Sequence, residues 1–387
     1  MEISLPISIG EALDKLTILE LKLKYISDPV KKINIQKEYN TISPILNTHK
    51  NNIIFYYNLL FESNEKIWNL CDLTRDKINI NYMYNCEKII LENDRRFRIK
   101  NKINNILNAS LKEQKGYNKK KAFILTHLGL GDNITAIPIV RYLSTHYDEV
   151  YVVCKTHNAE NVRLFYSDDE SIKVLDFVNN SYISPNIGGS SNFEIYTKDC
   201  DKYLVGLHLD ITVRKPFNYL PFNFYDDLNL PYNIFWKYFY VPSLDNSNKL
   251  VNILKDYNIN EYIFIHNTSS MGEVFTINFI EEKFNICKND TLIINPCINV
   301  YEKDNKFYNI AELFLNKKLL EYKDVIINAS KIFMSDSSFF CLAMNLEIKT
   351  NDCYLCGRNN SNYSHIWFDK YGFNESTNKK KFISIIN

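Results

Sequence analysis

No window of the chain approaches the ~18 uninterrupted apolar residues that a membrane-spanning helix needs. Met1-Glu2-Ile3-Ser4 offers neither a basic n-region nor an apolar h-region, so a signal peptide is not expected there. Charge of one sign is missing too. The 46 Lys and Arg stand against 45 Asp and Glu, a net charge of +1, which gives no global case for nucleic acid or a membrane surface. A disulfide framework is also absent. Cys71, Cys86, Cys154, Cys200, Cys287, Cys297, Cys341, Cys353 and Cys356 are odd in number and irregular in spacing, so reduced thiols in a cytoplasmic protein are expected. Cys353-x-x-Cys356 lacks a second ligand pair at matching spacing, so no metal is expected.

What remains is an ordinary globular composition, 45% apolar and 24% charged, over 387 residues, long enough for two or three domains. Residues 1–117 read as all-helical. Ser8-Ile9-Gly10-Glu11 is a capping box: the Ser hydroxyl accepts from the Glu11 amide and the Glu reaches back. Ile9, Leu13, Leu16, Leu19, Leu23 and Ile26 then recur at gaps of three and four, which makes one apolar helix face. Asp28-Pro29 ends this helix and opens the next. Helical patterns follow over 33–46, 53–71 and 89–107, giving long antiparallel helices.

From Lys121 the pattern changes. Short apolar runs at 122–126, 149–154 and 172–175 alternate with helical stretches, and the order repeats with runs at 262–266, 291–294 and 332–334. Strand–helix–strand alternation predicts parallel units. The expected architecture is α/β, with two Rossmann-like domains at 118–244 and 245–387 behind the helical domain. Ligands of such sheets bind at the carboxyl ends of the strands.

Three loops fall at such ends. The first is His127-Leu128-Gly129-Leu130-Gly131-Asp132-Asn133. Its glycines allow a tight turn and close backbone approach. Asp132 at the mouth of the next helix is placed either to deprotonate a hydroxyl nucleophile or to cap the helix. A third glycine at the dinucleotide spacing is missing. The second loop, Ser335-Asp336-Ser337-Ser338, puts hydroxyls and free amides at a helix start, a phosphate-binding arrangement or a plain cap. The third, His266-Asn267-Thr268-Ser269-Ser270-Met271-Gly272, supplies hydroxyls and amides for a pyrophosphate or is an ordinary βα loop. His266 alone is more often structural than catalytic.

Thr126 to Asn133, with Pro138 and Val140-Arg-Tyr-Leu143, resembles the opening of the heptosyltransferase-type glycosyltransferases, and Ser335 to Ala343 resembles their donor-site motif. Phe222 to Leu230 is similar to their interdomain region. The likeness runs over about residues 120–360. It implies the GT-B fold, with the acceptor on 118–244 and a nucleotide sugar on 245–387. It further implies metal-independent, inverting transfer to a glycan or other hydroxyl, with no cofactor beyond the nucleotide-sugar co-substrate. Asp132 matches the general base, within a loop shaped by Gly129, Gly131 and Asn133. Thr268, Ser269, Ser270, Gly272, Asp336, Ser337 and Ser338 are the candidate donor-binding residues. Two positions depart from the pattern. Cys341 stands where the family has His, and loop 266–272 lacks the family's Lys.

Residues 1–117 resemble a different group, a bacterial domain family of unassigned function found near carbohydrate genes. The matching residues are Pro6 to Glu11, Asp14 to Glu20, Asn64 to Trp68, Asn93 to Arg96, Lys100 to Asn104 and Lys112 to Lys115. This part is the candidate surface for homo-oligomerisation. A basic run from Arg95 to Lys121 reads as a solvated helix face and linker in preference to a docking surface, and no aromatic-interleaved RNA-binding signature accompanies it. Two rivals to the transferase remain. One is a non-catalytic glycan- or nucleotide-binding scaffold, motivated by Cys341 and the missing Lys; the other is a sugar-nucleotide epimerase.

Overall fold

The structure, a computed structural model, describes residues 5–75, 80–116, 118–126, 129–177, 198–206, 220–270, 272–357, 379–380 and 382–385. The chain is mixed α/β with a helical N-terminal region. It divides into two compact units, one of Met1–Lys121, Leu143–Val150 and Asp168–Lys173, the other of Ala122–Tyr142, Tyr151–Ser167 and Val174–Asn387.

The first unit holds α1 (Ile9–Tyr25), α2 (Pro29–Asn52), α3 (Ile54–Arg75) and α4 (Tyr82–Ile106). The apolar stripe of α1 is its core face, with Leu13, Leu16 and Leu19 fully buried against residues such as Leu60, Ile99 and Ile103 of the same core. Ser8 caps α1 as expected, its Oγ accepting from Glu11 N at 3.2 Å. The other half of the capping box does not form, because the Glu11 carboxylate pairs with Lys100. Asp28 caps α2 with Pro29 at the first helical position. Gly10 lies so close to α4 that a Cβ there would sit 2.8 Å from the Lys100 carbonyl oxygen, and its N–H donates to Asn104 Oδ1 at 2.8 Å.

On α4 the basic run is not a solvated face, while Lys112, Lys119 and Lys120 of the linker are exposed. Arg95, Arg98, Lys100 and Lys102 are buried, and each meets carboxylates. Arg95 faces Glu62 and Glu92, Arg98 pairs with Asp148, Lys100 with Glu11 and Glu113, and Lys102 with Asp169. Arg96 grips buried Asp14 with Nε and Nη2. Asn64 Nδ2 donates to Asp14 Oδ1 at 2.8 Å and to Thr17 Oγ1 at 2.7 Å. Apart from Glu92 and Glu113, the partners lie tens of residues away in sequence, so a local reading of α4 sees most of its cations without their anions.

The second unit is built on two sheets; β1, β2 and β3 of the first begin in segments grouped with the first unit. The four-stranded sheet comprises β1 (Lys121–Leu125), β2 (Glu149–Lys155), β3 (Ile172–Phe177) and β4 (Cys200–Leu204), in the order β3-β2-β1-β4. Helix α5 (Leu130–His146) follows β1, and α6 (Ala159–Phe165) follows β2. Phe123, Leu125 and Val153 form a buried cluster with Tyr151, Leu175, Cys200 and Leu204 packed on it.

The second sheet uses β5 (Tyr262–His266), β8 (Leu292–Ile294), β9 (Lys331–Ser335), β10 (Cys353–Cys356) and β11 (Ile383–Ile385). A small antiparallel pair, β6 (Thr268–Ser269) with β7 (Gly272–Glu273), stands apart from it. The five strands run in the order β11-β10-β9-β5-β8, with every pairing parallel. By chain order this is the 2-1-3-4-5 arrangement of doubly wound sheets, whose switch point lies between β5 and β9. Phe264, Ile265, Ile332, Phe333 and Met334 are fully buried, as a two-faced parallel sheet requires. Cys353 and Cys356 lie on β10 as free, buried thiols, and burial pushes Cys356 up to about 11. Three residues apart on a strand, they point to opposite faces.

Candidate functional site at the strand ends

The loop after β1 is short because α5 starts at once. His127 and Leu128 lie outside the described residues. Gly129 N donates to Asp132 Oδ2 at 3.2 Å, and Gly129 O accepts from Asn133 N at 3.1 Å and Asn133 Nδ2 at 2.9 Å. Asp132 thus reaches back over the first turn of α5, the capping bond. A Cβ on Gly129 would fall 2.6 Å from Asp132 Oδ2, so only glycine lets the carboxylate fold back this closely. Asp132 is half-buried, and the buried Asn133 keeps Oδ1 without a hydrogen-bond partner.

The helix Leu220–Asp227, at the start of the segment matched to the interdomain region, braces this loop. Tyr225 donates its hydroxyl to Thr135 O of α5 at 3.1 Å. Asp227 accepts from Gly206 N at 2.8 Å, just beyond β4. Gly206 has φ +76° and Phe224 against its α-carbon, where a Cβ would meet the ring at 2.6 Å. Residues 178–197 and 207–219 lie outside the described residues.

At the switch point of the second sheet, β5 and β9 are tied by neutral polar groups. His266 is buried and stacks on Phe339 with ring centroids 4.3 Å apart. Its Nδ1 lies 3.0 Å from Ser337 Oγ, and its Nε2 3.4 Å from Thr268 Oγ1. Burial lowers the imidazole to about 4, so the ring is neutral at neutral pH. Ser337 is the cap residue of the helix Ser338–Ala343, yet its hydroxyl makes no capping bond; it turns to His266 instead. Ser335 Oγ donates to Thr268 O, joining the two loops.

The stretch after β5 is a hairpin, not an open loop. Thr268 pairs with Glu273 and Ser269 with Gly272, which sits at φ +101°. Ser270 and Gly272 are exposed at its tip. Its base is held by Asn267, whose Nδ2 donates to Glu273 Oε1 at 2.8 Å and Phe275 O at 3.0 Å. Asn267 Oδ1 accepts from Asn295 Nδ2 at 3.0 Å. Asn267 and Asn295 were not among the sequence candidates. Their signal is an Asn directly following an apolar strand.

The two sheets meet at these ends. A Cβ on Gly131 would lie 3.3 Å from Cys341 Sγ and 3.7 Å from Ser338 Cα. The start of α5 therefore rests on the start of the helix after β9, with Asp132 next to Gly131 and Asp336 two residues before Ser338. At the hairpin, a Cβ on Gly272 would meet nothing within 4 Å. Chemically, this junction offers one carboxylate beside a glycine turn, a second carboxylate, serine hydroxyls, and a histidine without charge.

Residues 3–124 match the model of DUF6165, a family of unknown function, over less than half the chain. No curated protein matches. Among solved structures, a glycosyl transferase family 9 protein from Veillonella parvula DSM 2008 aligns with a TM-score of 0.42 at 9% identity, covering 71% of this chain and 89% of that one.

Proposed function

We propose that the chain is a nucleotide-sugar-dependent glycosyltransferase of GT-B arrangement. Residues 118–244 take a glycan or other hydroxyl acceptor, and residues 245–387 the donor. The observation that carries this reading is the junction of Gly131 with Ser338 and Cys341, where the turns after β1 and β9 come together. An acceptor hydroxyl attacks the anomeric carbon from the side of Asp132, which takes its proton. The bond from that carbon to the diphosphate oxygen breaks as the new bond forms, so the anomeric centre inverts. Ser337, Ser338 and the amides after Asp336 stabilise the departing diphosphate, with Thr268, Ser269, Ser270 and Gly272 along its length. The neutral His266 adds hydrogen bonding without charge. No metal or further cofactor enters the scheme.

The test is transfer, or slow donor hydrolysis, measured over a panel of nucleotide sugars for wild type and Asp132→Asn. The general base supplies about 10²–10⁴-fold, so the variant should fall by that factor. Equal rates would remove Asp132 from the mechanism.

A second reading rests on a separate observation. Asp132 already serves as the cap acceptor for Gly129 N, and Cys341 occupies the family's histidine position. On that reading the same junction binds a glycan or nucleotide without turning it over. Calorimetry with nucleoside diphosphates separates the two: no binding of any of them leaves only the scaffold. Release of an isomerised or free sugar without acceptor would instead indicate an epimerase.

A further inference from the structure

A pocket of about 370 Å³ opens in the helical unit, between the last turns of α4 and the turns ahead of β2 and β3. That volume suits a small molecule. From α4 it is lined by Arg98, Asn101, Lys102 and Asn105, whose spacing places them on one helix face.

Two of these side chains are locked. Arg98 Nε donates to Asp148 Oδ1 at 2.8 Å, with Nη2 3.5 Å from Oδ2. Lys102 Nζ donates to both oxygens of Asp169 at 2.8 Å each, and to Ser171 Oγ. Buried pairs of this kind contribute little net stability but fix geometry. Asn101 lies on the same face, and its Oδ1 is buried with no hydrogen-bond partner. A buried acceptor left in this state costs free energy that a bound donor would recover. One turn away, Arg98 Nη1 lies outside the Asp148 fork and presents donors. A donor and an acceptor from one helix face match a pair of hydroxyls.

The charges of the wall cancel. Lys115 and Lys119 meet Asp94 and Glu149 at 2.8 Å and 3.0 Å, and the lining also holds one further residue of each sign, Glu170 and Lys173. The pocket therefore selects for a neutral ligand, and the ring of Tyr147 gives its wall an apolar face.

We propose that this pocket binds a neutral polyhydroxylated ligand, one or two sugar rings, with Asn101 Oδ1 accepting from a hydroxyl or amide and Arg98 donating. It shares no residue with the proposed transfer site and stands or falls independently of it.

The test titrates the full chain with N-acetylglucosamine, maltose and inorganic phosphate, followed by calorimetry and saturation-transfer NMR. Wild type should bind one of the two saccharides in the millimolar range and phosphate not at all. Asn101→Leu should weaken that binding by about tenfold, the worth of one hydrogen bond. Asn105→Trp, at a half-buried position of the same face, should block the pocket with the melting temperature retained, and serves if Asn101→Leu fails to fold. Asp132→Asn should bind as wild type. Absence of saccharide binding, phosphate binding more tightly than both sugars, equal affinities in wild type and the folded pocket variants, or loss in Asp132→Asn would each overturn the proposal.

Discussion

The interior of the helical unit and the strand ends of the five-stranded sheet both keep polar groups away from water, by opposite means. In the helices they are full charges in pairs: Asp14 with Arg96, Asp169 with Lys102, Asp148 with Arg98. At the strand ends they are neutral: His266, Asn267, Asn295 and Ser335, all buried. A charge pair is committed, because separating it leaves an ion in low dielectric. A hydroxyl or neutral imidazole can switch between donor and acceptor and accommodate an incoming phosphate without expelling a counter-ion. The charges of the helical unit are thus committed to one another, whereas the polar groups at the strand ends are tied to no counter-ion.

The largest expected effect tests the first half of that contrast. Asp14→Ala removes the partner of Arg96 and an acceptor of Asn64 at once. It should cost about 3–5 kcal/mol in urea unfolding, the usual penalty for breaking a buried pair. Asp14→Asn, which keeps the shape and one acceptor, should cost less. A loss below about 1 kcal/mol for the alanine variant, within the range of exposed pairs, would show that the network is not committed in this sense.

The second half makes a prediction in pH. His266 titrates at about 4 when folded, against its usual 6.5, because burial disfavours the cation. Between those values the unfolded chain binds the extra proton, so stability rises with pH. The contribution is complete above about pH 6.5 and is lost progressively as pH falls to about 4. The shift corresponds to about 3 kcal/mol. Unfolding free energies measured across this range should fall with acid in wild type, and the slope should flatten in His266→Gln. An unchanged slope in the variant would mean that the ring is not buried neutral.

Much of the helical region was legible because its signals are local. The stripe Leu13, Leu16, Leu19 and the caps Ser8 and Asp28 depend on neighbours within one or two turns. The ion pairs of Arg98 and Lys102 were not legible, since Asp148 and Asp169 belong to segments some 50 and 67 positions onward. The core strands of the second sheet, β5, β8 and β9, were visible as apolar runs, whereas β10 was read only as a thiol pair and β4 and β11 were passed over. At the candidate site, the turns at Gly129 and Ser335 were visible as strand-to-helix punctuation. The hairpin at Thr268 was not, because its two-residue strands carry no alternation to read. His266 was read as structural, and its bonds to Ser337 and Thr268 show what it holds together.

The smallest expected effect concerns the junction itself. Alanine in place of a helical glycine ordinarily gains up to about 1 kcal/mol. At Gly131 the new methyl would press on Cys341 Sγ at 3.3 Å, with the Ser338 backbone behind it. Gly131→Ala alone should therefore be neutral or slightly destabilising. Cys341→Ala removes the sulfur and costs a small cavity. In that background Gly131→Ala should recover its gain, giving a coupling of about 0.5–1 kcal/mol in a double-mutant cycle read by urea unfolding. Strict additivity would mean that the two turns do not touch in solution. That would remove the observation on which the transferase reading rests and leave the neutral strand ends of the second sheet as a site on their own.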